Sequence, residues 1–279
     1  MTERNAGNRL TLQSLGRPLA QGRTAEIFAW GDQQVLKLYR AEFAARDVDL
    51  EANKARQVYA TGLRVPAVGE VIEIENRRGL IYERLDGPTL LDQLGARPWQ
   101  LLYIAHTMAQ LHVDLHTRVA STLPSTHQRL ARKIEQVERL PDSQRRAILQ
   151  VLATLKDSDS LCHNDFHPAN ILLTTQGPIV IDWLDATQGN PLADVARTSL
   201  LIRFAGLPPP AMQRAGQAIL RALLHTVYLR RYFQLRPGGQ RELQRWLIPV
   251  TAARLLEDQP GEQAPLLAYL EKLLRADRQ

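Results

Sequence analysis

Two short apolar runs with a polar residue at either end constrain this chain more than anything else in it. Ile171-Leu172-Leu173 and Pro178-Ile179-Val180-Ile181 are strand-prone, and Gln176-Gly177 between them is a turn signal. They predict a β-hairpin, and a hairpin brings its two open ends together. Asn170 enters it and Asp182 leaves it. Just upstream, His163-Asn164-Asp165-Phe166-His167-Pro168-Ala169 reads as a loop rich in polar side chains. Asp165, Asn170 and Asp182 therefore flank one local structure and can converge.

The rest of the chain supplies a frame for that hairpin. Ala25–Trp30 and Gln34–Tyr39 are strand-like, with Gly31-Asp32 as a turn between them. A helix is expected over 44–60, with Val48, Ala52, Ala55 and Tyr59 at helical spacing, stopped by Gly62 and Pro66. Strands over Ala67–Ile74 and Gly79–Leu85 follow, joined through Glu75-Asn76-Arg77. Asp86-Gly87-Pro88 is punctuation. Beyond it, helices are expected over Trp99–His116, His127–Leu140 and Ser143–Leu155, and again from Pro191 onward. Breaks in that last region fall at Pro208–Pro210, Pro237–Gly239 and Pro260–Pro265. The fold class is α+β: a small antiparallel sheet with one helix over residues 1–86, a hinge at about 83–88, and a larger, mainly helical lobe over 89–279.

Composition narrows the setting. With 44% hydrophobic and 23% charged residues in 279, the chain is an ordinary globular protein. Its one cysteine, Cys162, has no partner for an internal disulfide, and the opening MTERNAGNRL lacks the apolar stretch of a signal peptide. A cytoplasmic protein, monomer or homodimer, is expected. No apolar run reaches the ~18 residues of a membrane span. No basic run is interleaved with aromatics as in single-strand nucleic-acid binders. Neither a membrane nor a nucleic acid is expected as partner.

An Asp-x4-Asn loop followed by a strand-end Asp suits phosphoryl transfer. One carboxylate orients the attacking hydroxyl, while a carboxamide and a second carboxylate hold the cation that bridges the phosphates. Both are hard oxygen ligands, as Mg²⁺ prefers. Lys37, inside the apolar run Val35–Tyr39, reads either as a lysine reaching past a strand edge or as a phosphate ligand.

The segment resembles the catalytic loop of the aminoglycoside phosphotransferase and choline kinase family, relatives of the protein kinases. The pattern H-x-D-x-x-x-x-N is carried by His163, Asp165 and Asn170, the I-D pair by Ile181-Asp182, and G-x-P-x-x-D by Gly189, Pro191 and Asp194. The resemblance implies a bilobal protein-kinase-like fold that binds ATP or GTP with Mg²⁺ and phosphorylates a small-molecule hydroxyl. It implies Asp165 as base, Asn170 and Asp182 as Mg²⁺ ligands, and Asp194 as a brace for the loop. It implies Lys37 on the nucleotide phosphates, steadied by an acid on the next helix, for which Glu51 is better placed than Asp47 or Glu42. Ala20–Ala25, with Gly22 its one glycine, is the expected phosphate-covering loop, and Glu83–Leu85 the backbone hinge for adenine. His167 reads as a loop former or a phosphate contact. Asp185 fits a second Mg²⁺ contact or a turn cap equally. His112 and His116, one helical turn apart, read as structural, with no glutamate placed between them as in metallopeptidases.

Two other readings use the same residues. A metal-dependent hydrolase built on His163, Asp165, His167, Asp182 and Asp185 gives Lys37 no role. A non-catalytic nucleotide-binding module is expected to lack one of Lys37, Asp165, Asn170 or Asp182, and all four are present. The acceptor is not named by any motif. From Arg203 onward the chain carries 12 Lys/Arg against 6 Asp/Glu, a field that opposes a polycation. Glu257, Asp258 and Glu262 are the one acidic cluster there.

Overall fold

The structure is a computed structural model that describes residues 11–22, 24–42, 45–205, 211–259 and 261–277. Arg23 of the expected phosphate loop, Ala44 at the expected helix start, the Pro208–Pro210 break, Pro260 and the whole opening segment MTERNAGNRL lie outside these residues. The chain divides between Asp86 and Gly87 into two compact units.

The N-terminal unit carries β1 (Ala20–Gln21), β2 (Ala25–Ala29), β3 (Gln34–Tyr39), α1 (Ala45–Ala60), β4 (Val68–Ile74) and β5 (Arg77–Glu83). The strands form one sheet in the order β1-β2-β3-β5-β4, and every neighbouring pair is antiparallel. The β4–β5 turn is tighter than expected. Glu75 and Asn76 take φ of 46° and 66°, and Arg77 already pairs with Ile74. Two left-handed residues match the right-handed twist of the flanking strands. One face of the sheet packs Phe28, Leu36, Leu38, Ile74 and Ile81. The other packs Ala25, Tyr39 and Leu80 against Val48 and Ala52 of α1. The expected strand over Gly79–Leu85 ends at Glu83, so Leu85 lies past it.

The C-terminal unit carries α2 (Leu90–Ala96), α3 (Leu101–Leu115), α4 (Thr126–Glu135), α5 (Asp142–Thr154), β6 (Ser160–Cys162), β7 (Ile171–Thr174), β8 (Gly177–Val180), β9 (Thr187–Gly189), α6 (Pro191–Phe204), α7 (Ala211–Leu235), α8 (Gln240–Arg254) and α9 (Gln263–Asp277). A capping box between Thr89 and Asp92 starts α2. Helix α4 stops at Glu135, short of the expected Leu140. The expected β7–β8 hairpin is present, with Ile171 opposite Val180. A second small pair, β6 with β9, holds the ends of the intervening segment together. Gly87 has φ 151°, and a Cβ there would fall 2.0 Å from the Leu173 carbonyl oxygen. Only glycine fits. Among the described residues no helix is long and apolar enough to cross a membrane.

Candidate active site

Strand alternation places Lys37. Leu36 and Leu38 enter the cluster on one face, while Tyr39 packs on the α1 side, and Lys37 shares the face of Tyr39. On α1, Val48, Glu51, Ala52 and Ala55 follow helical spacing and all are buried. The lysine and the acid therefore meet. Lys37 Nζ lies 2.7 Å from Glu51 Oε1, and the Tyr82 hydroxyl donates to the same oxygen at 3.0 Å. Glu51 is fully buried, a state a carboxylate tolerates only when paired.

The loop and hinge residues are placed as follows. Gly22 N–H donates to the Ala25 carbonyl at 2.8 Å, and its own carbonyl accepts from Arg40 Nη2 at 3.3 Å. That makes a tight turn between β1 and β2. Glu83 and Arg84 donate their N–H groups to the carbonyls of Ala67 and Gln33, each at 2.9 Å. Leu85 is half-buried beyond them.

In the C-terminal unit the segment from His163 to Asp182 is one hydrogen-bonded piece. Asn170 Nδ2 donates to the Asp165 carbonyl at 2.9 Å and to Asp165 Oδ2 at 3.1 Å. Ile181 N–H donates to the Asn170 carbonyl at 3.0 Å, which sets Asp182 directly after the residue paired with Asn170. Asp182 stands two residues beyond β8, which ends at Val180, and not at the strand end as expected. It is exposed and left-handed, φ 65°. Asn164 is left-handed too, φ 61°. Asn and Asp adopt this conformation more readily than other non-glycine residues.

The histidines lock the segment. His163 Nδ1 accepts from the Asp165 N–H at 3.2 Å, so Nε2 carries the proton and donates to the Ile181 carbonyl at 3.0 Å. Burial keeps His163 below its ordinary pKa. His167 Nδ1 accepts from Ala169 N–H, and its Nε2 lies 3.5 Å from Asp165 Oδ2. Burial alone would raise the Asp165 pKa. His167 first, then Arg197 and His163, hold it well below the usual carboxylate range. Asp185 is engaged by Arg129, and its carbonyl accepts from Asn164 Nδ2 at 3.1 Å.

Asp194 is the anchor. It opens α6, is fully buried, and accepts the N–H groups of His163 at 2.6 Å and Asn164 at 2.8 Å. It also accepts from His112 Nε2 at 3.1 Å and His116 Nε2 at 3.3 Å. An ionised carboxylate only accepts, so both imidazoles carry a proton on Nε2. Nδ1 of His112 is hydrogen-bonded to the Tyr228 hydroxyl at 2.6 Å, and Nδ1 of His116 to that of Tyr232 at 2.9 Å. Burial raises both phenol pKa values, which keeps them protonated. His112 and His116 thus join Asp194 and the two tyrosines in one buried hydrogen-bonded hub. Sequence reasoning misses the tyrosines. Their signal is a second pair at helical spacing, Tyr228 and Tyr232, matching His112 and His116.

This hub has a consequence for stability. His116 is pushed from 6.5 down to about 3, first by burial and then by His112. Between those values the unfolded chain binds a proton that the native one refuses. Stability is therefore complete above pH 6.5 and is lost as pH falls toward 3, by about 1.4 kcal/mol per pH unit for this one group. Urea midpoints at pH 7 and pH 5 check it, and equal midpoints would contradict it.

A five-stranded sheet with one helix and a buried Lys–Glu pair, followed by a helical unit that braces an Asp-x4-Asn loop, is the architecture of the protein-kinase-like phosphotransferases. The chain matches the APH phosphotransferase enzyme family over residues 16–232 and belongs to it. No curated protein matches its sequence. Among solved structures it is similar to a thermostable mutant of aminoglycoside phosphotransferase APH(4)-Ia in ternary complex with ADP and hygromycin B. The TM-score is 0.64 at 18% identity, over 95% of this chain and 96% of that one. A choline/ethanolamine kinase family protein from Mesorhizobium loti gives TM-score 0.60 at 17% identity, over 93% and 89%. Amicoumacin kinase hAmiN, with AMP-PNP and Ca²⁺, gives 0.58 at 15%, over 94% and 87%. At these identities the likeness shows the fold.

Proposed function

We propose that the chain transfers the γ-phosphoryl group of ATP, bound with Mg²⁺, to a hydroxyl of a small molecule. The observation that carries this reading is the Asn170 amide, which donates to both the carbonyl and the carboxylate of Asp165. It ties the base and a cation ligand into one unit. With Nδ2 so engaged, Oδ1 is the Asn170 atom suited to a cation, together with the carboxylate of Asp182, one residue past the Ile181 whose N–H bonds Asn170. That pair of hard oxygens fits Mg²⁺. Bound there, the ion supplies neutralisation of charge on the β- and γ-phosphates.

Asp165 accepts the hydroxyl hydrogen and aims the oxygen at the γ-phosphorus. The new O–P bond forms as the bond to the β,γ-bridging oxygen breaks, ADP leaves with that electron pair, and the proton passes to Asp165. The groups that hold its pKa down keep Asp165 ionised, able to accept that hydrogen and orient the oxygen. A loose transition state asks little more of it. Lys37, steadied by Glu51, neutralises the nucleotide phosphates. Glu83 and Arg84 already use their N–H groups within the sheet and its turn, so Leu85 N–H is the proposed hinge donor to adenine. This gives the residues roles that neither a hydrolase nor a silent nucleotide-binding module accounts for.

The acceptor is proposed to be something other than a polycationic aminoglycoside. A site for several ammonium groups needs unengaged carboxylates. Here Glu257 is bound by Lys133, Arg197 and Arg254, Asp258 by Arg139, and Glu262 by Arg254. Coupled ADP release with kanamycin-type and streptomycin-type compounds at micromolar concentration should stay at background. Saturable turnover with any of them would overturn this part of the reading, and a hydroxyl-compound screen would supply the true acceptor.

A further inference from the structure

We propose that a cationic cavity among α4, α6 and α8 is an oxyanion site that holds a carboxylate or phosphate group of the acceptor. This deepens the phosphotransferase reading and rests on it. The cavity is ≈ 20 Å³ and is lined by Arg129, Lys133, Asn164, Arg197, Arg254 and Glu257, with apolar residues between them. Arg129 and Lys133 are one helical turn apart on α4, Arg197 comes from α6, and Arg254 closes α8.

The charges do not balance. Glu257 Oε1 takes Lys133 at 3.0 Å, and Oε2 takes Arg197 at 2.9 Å and Arg254 at 3.1 Å. Arg254 has a second acid in Glu262, and Arg129 has Asp185. Four cations and a single carboxylate line the cavity itself, while Glu262, Asp185 and, on Arg197, Asp165 act from beyond its lining. Arg197 and Arg254 are 8% and 4% exposed. Desolvated cations that outnumber the carboxylates in the same wall leave room there for a further anion. Burial and the nearby Arg129 hold the Lys133 pKa down, against the pull of Glu257. Burial would lower the Arg197 pKa, but Glu257, with Asp165 and Asp185 from outside the cavity, holds it above the ordinary value.

Place and size say what the anion belongs to. Asn164 lines the cavity, Arg197 Nε donates to its carbonyl at 3.0 Å, and Asp165 is the next residue. A cavity of this volume accepts about one water-sized group. What enters is one oxygen of an oxyanion head, met by Lys133 and Arg129, while Glu257 remains on Arg197 and Arg254. The hydroxyl to be phosphorylated is carried by the part of the molecule left outside, close to Asp165. The acceptor class is an alcohol bearing a carboxylate or phosphate a few bonds from its hydroxyl.

The test uses the full chain and two kinds of measurement. Melting temperature is followed against formate and inorganic phosphate, with ionic strength held by a bulky organic anion. A saturable rise is expected in the wild type and in Lys272→Met, which removes an exposed charge elsewhere. Lys133→Met and the length-preserving Lys133→Gln should bind the anion at least about tenfold more weakly, the loss expected for one charged hydrogen bond. Coupled ADP release is then compared for matched pairs, a hydroxy acid against its amide and glycerol phosphate against glycerol. The charged member should give at least about tenfold higher kcat/KM, and which pair shows it separates carboxylate from phosphate. If the wild type binds Mg·ATP but takes up neither anion, or either Lys133 variant binds as the wild type does, the oxyanion site is wrong and the phosphotransferase reading survives. Equal use of the charged and uncharged members would overturn the oxyanion site in the same way. If the wild type binds no nucleotide, the phosphotransferase reading falls, and the proposed acceptor role falls with it.

Discussion

Asp165→Ala is expected to reduce phosphoryl transfer by about 10²–10⁴-fold, the usual worth of a positioned acid or base, with Mg·ATP affinity close to that of the wild type. The geometry makes the second half of that statement specific. Asn170 Nδ2 loses one acceptor, Asp165 Oδ2 at 3.1 Å, but keeps the Asp165 backbone carbonyl at 2.9 Å. The cation ligand therefore stays in place when the carboxylate is removed. Asp194, which holds the loop through the N–H groups of His163 and Asn164, is untouched. Steady-state turnover on the true acceptor, with nucleotide affinity measured in parallel, checks it. Wild-type turnover in the variant would remove Asp165 from its assigned role.

Asp182→Ala should do the reverse and weaken nucleotide binding itself. Asp182 is exposed and sits one residue past Ile181, whose N–H is bonded to Asn170. Groups one shell out from a metal are commonly worth about 10–100-fold in affinity, and a direct ligand is expected to be worth no less. The loss should appear with Mg·ATP and not with metal-free ATP. Equal affinity of the variant and the wild type for Mg·ATP would show that Asp182 holds no cation.

The contrast between what the sequence reveals and what it conceals follows sequence separation. The hairpin, the Asp165–Asn170 pair and the approach of Asp182 are local. A short segment with one turn determines them, and strand periodicity suffices. Lys37 and Glu51 are 14 residues apart on a strand and the next helix, and two simple periods place both on the same buried interface. Boundaries are less legible. Leu85 and Asp182 read as strand residues because apolar character continues past the last paired residue, whereas the sheet ends where the partner strand does.

The cationic cavity is not legible in the sequence at all. Arg129, Lys133, Arg197 and Arg254 come from three helices, and each alone looks like a solvated surface charge. Likewise, the acidic cluster of Glu257, Asp258 and Glu262 suggests a pocket for cations in sequence. In the fold those carboxylates are bound by the chain's own basic side chains. Tyr228 and Tyr232 lie 116 residues from the histidines they serve, and only the equal helical spacing of the two pairs hints at the match.

The central claim is that the chain binds a nucleoside triphosphate with its cation, Lys37 serving the phosphates and Asn170 with Asp182 the cation. Calorimetric titration of the full chain with ATP, with and without Mg²⁺, tests it most directly. The expected result is saturable one-to-one binding that Mg²⁺ strengthens, accompanied by a rise in melting temperature equivalent to about 2.7 kcal/mol at a hundredfold excess of ligand over Kd. Absence of binding by both ATP and GTP in the presence of Mg²⁺ would contradict the account.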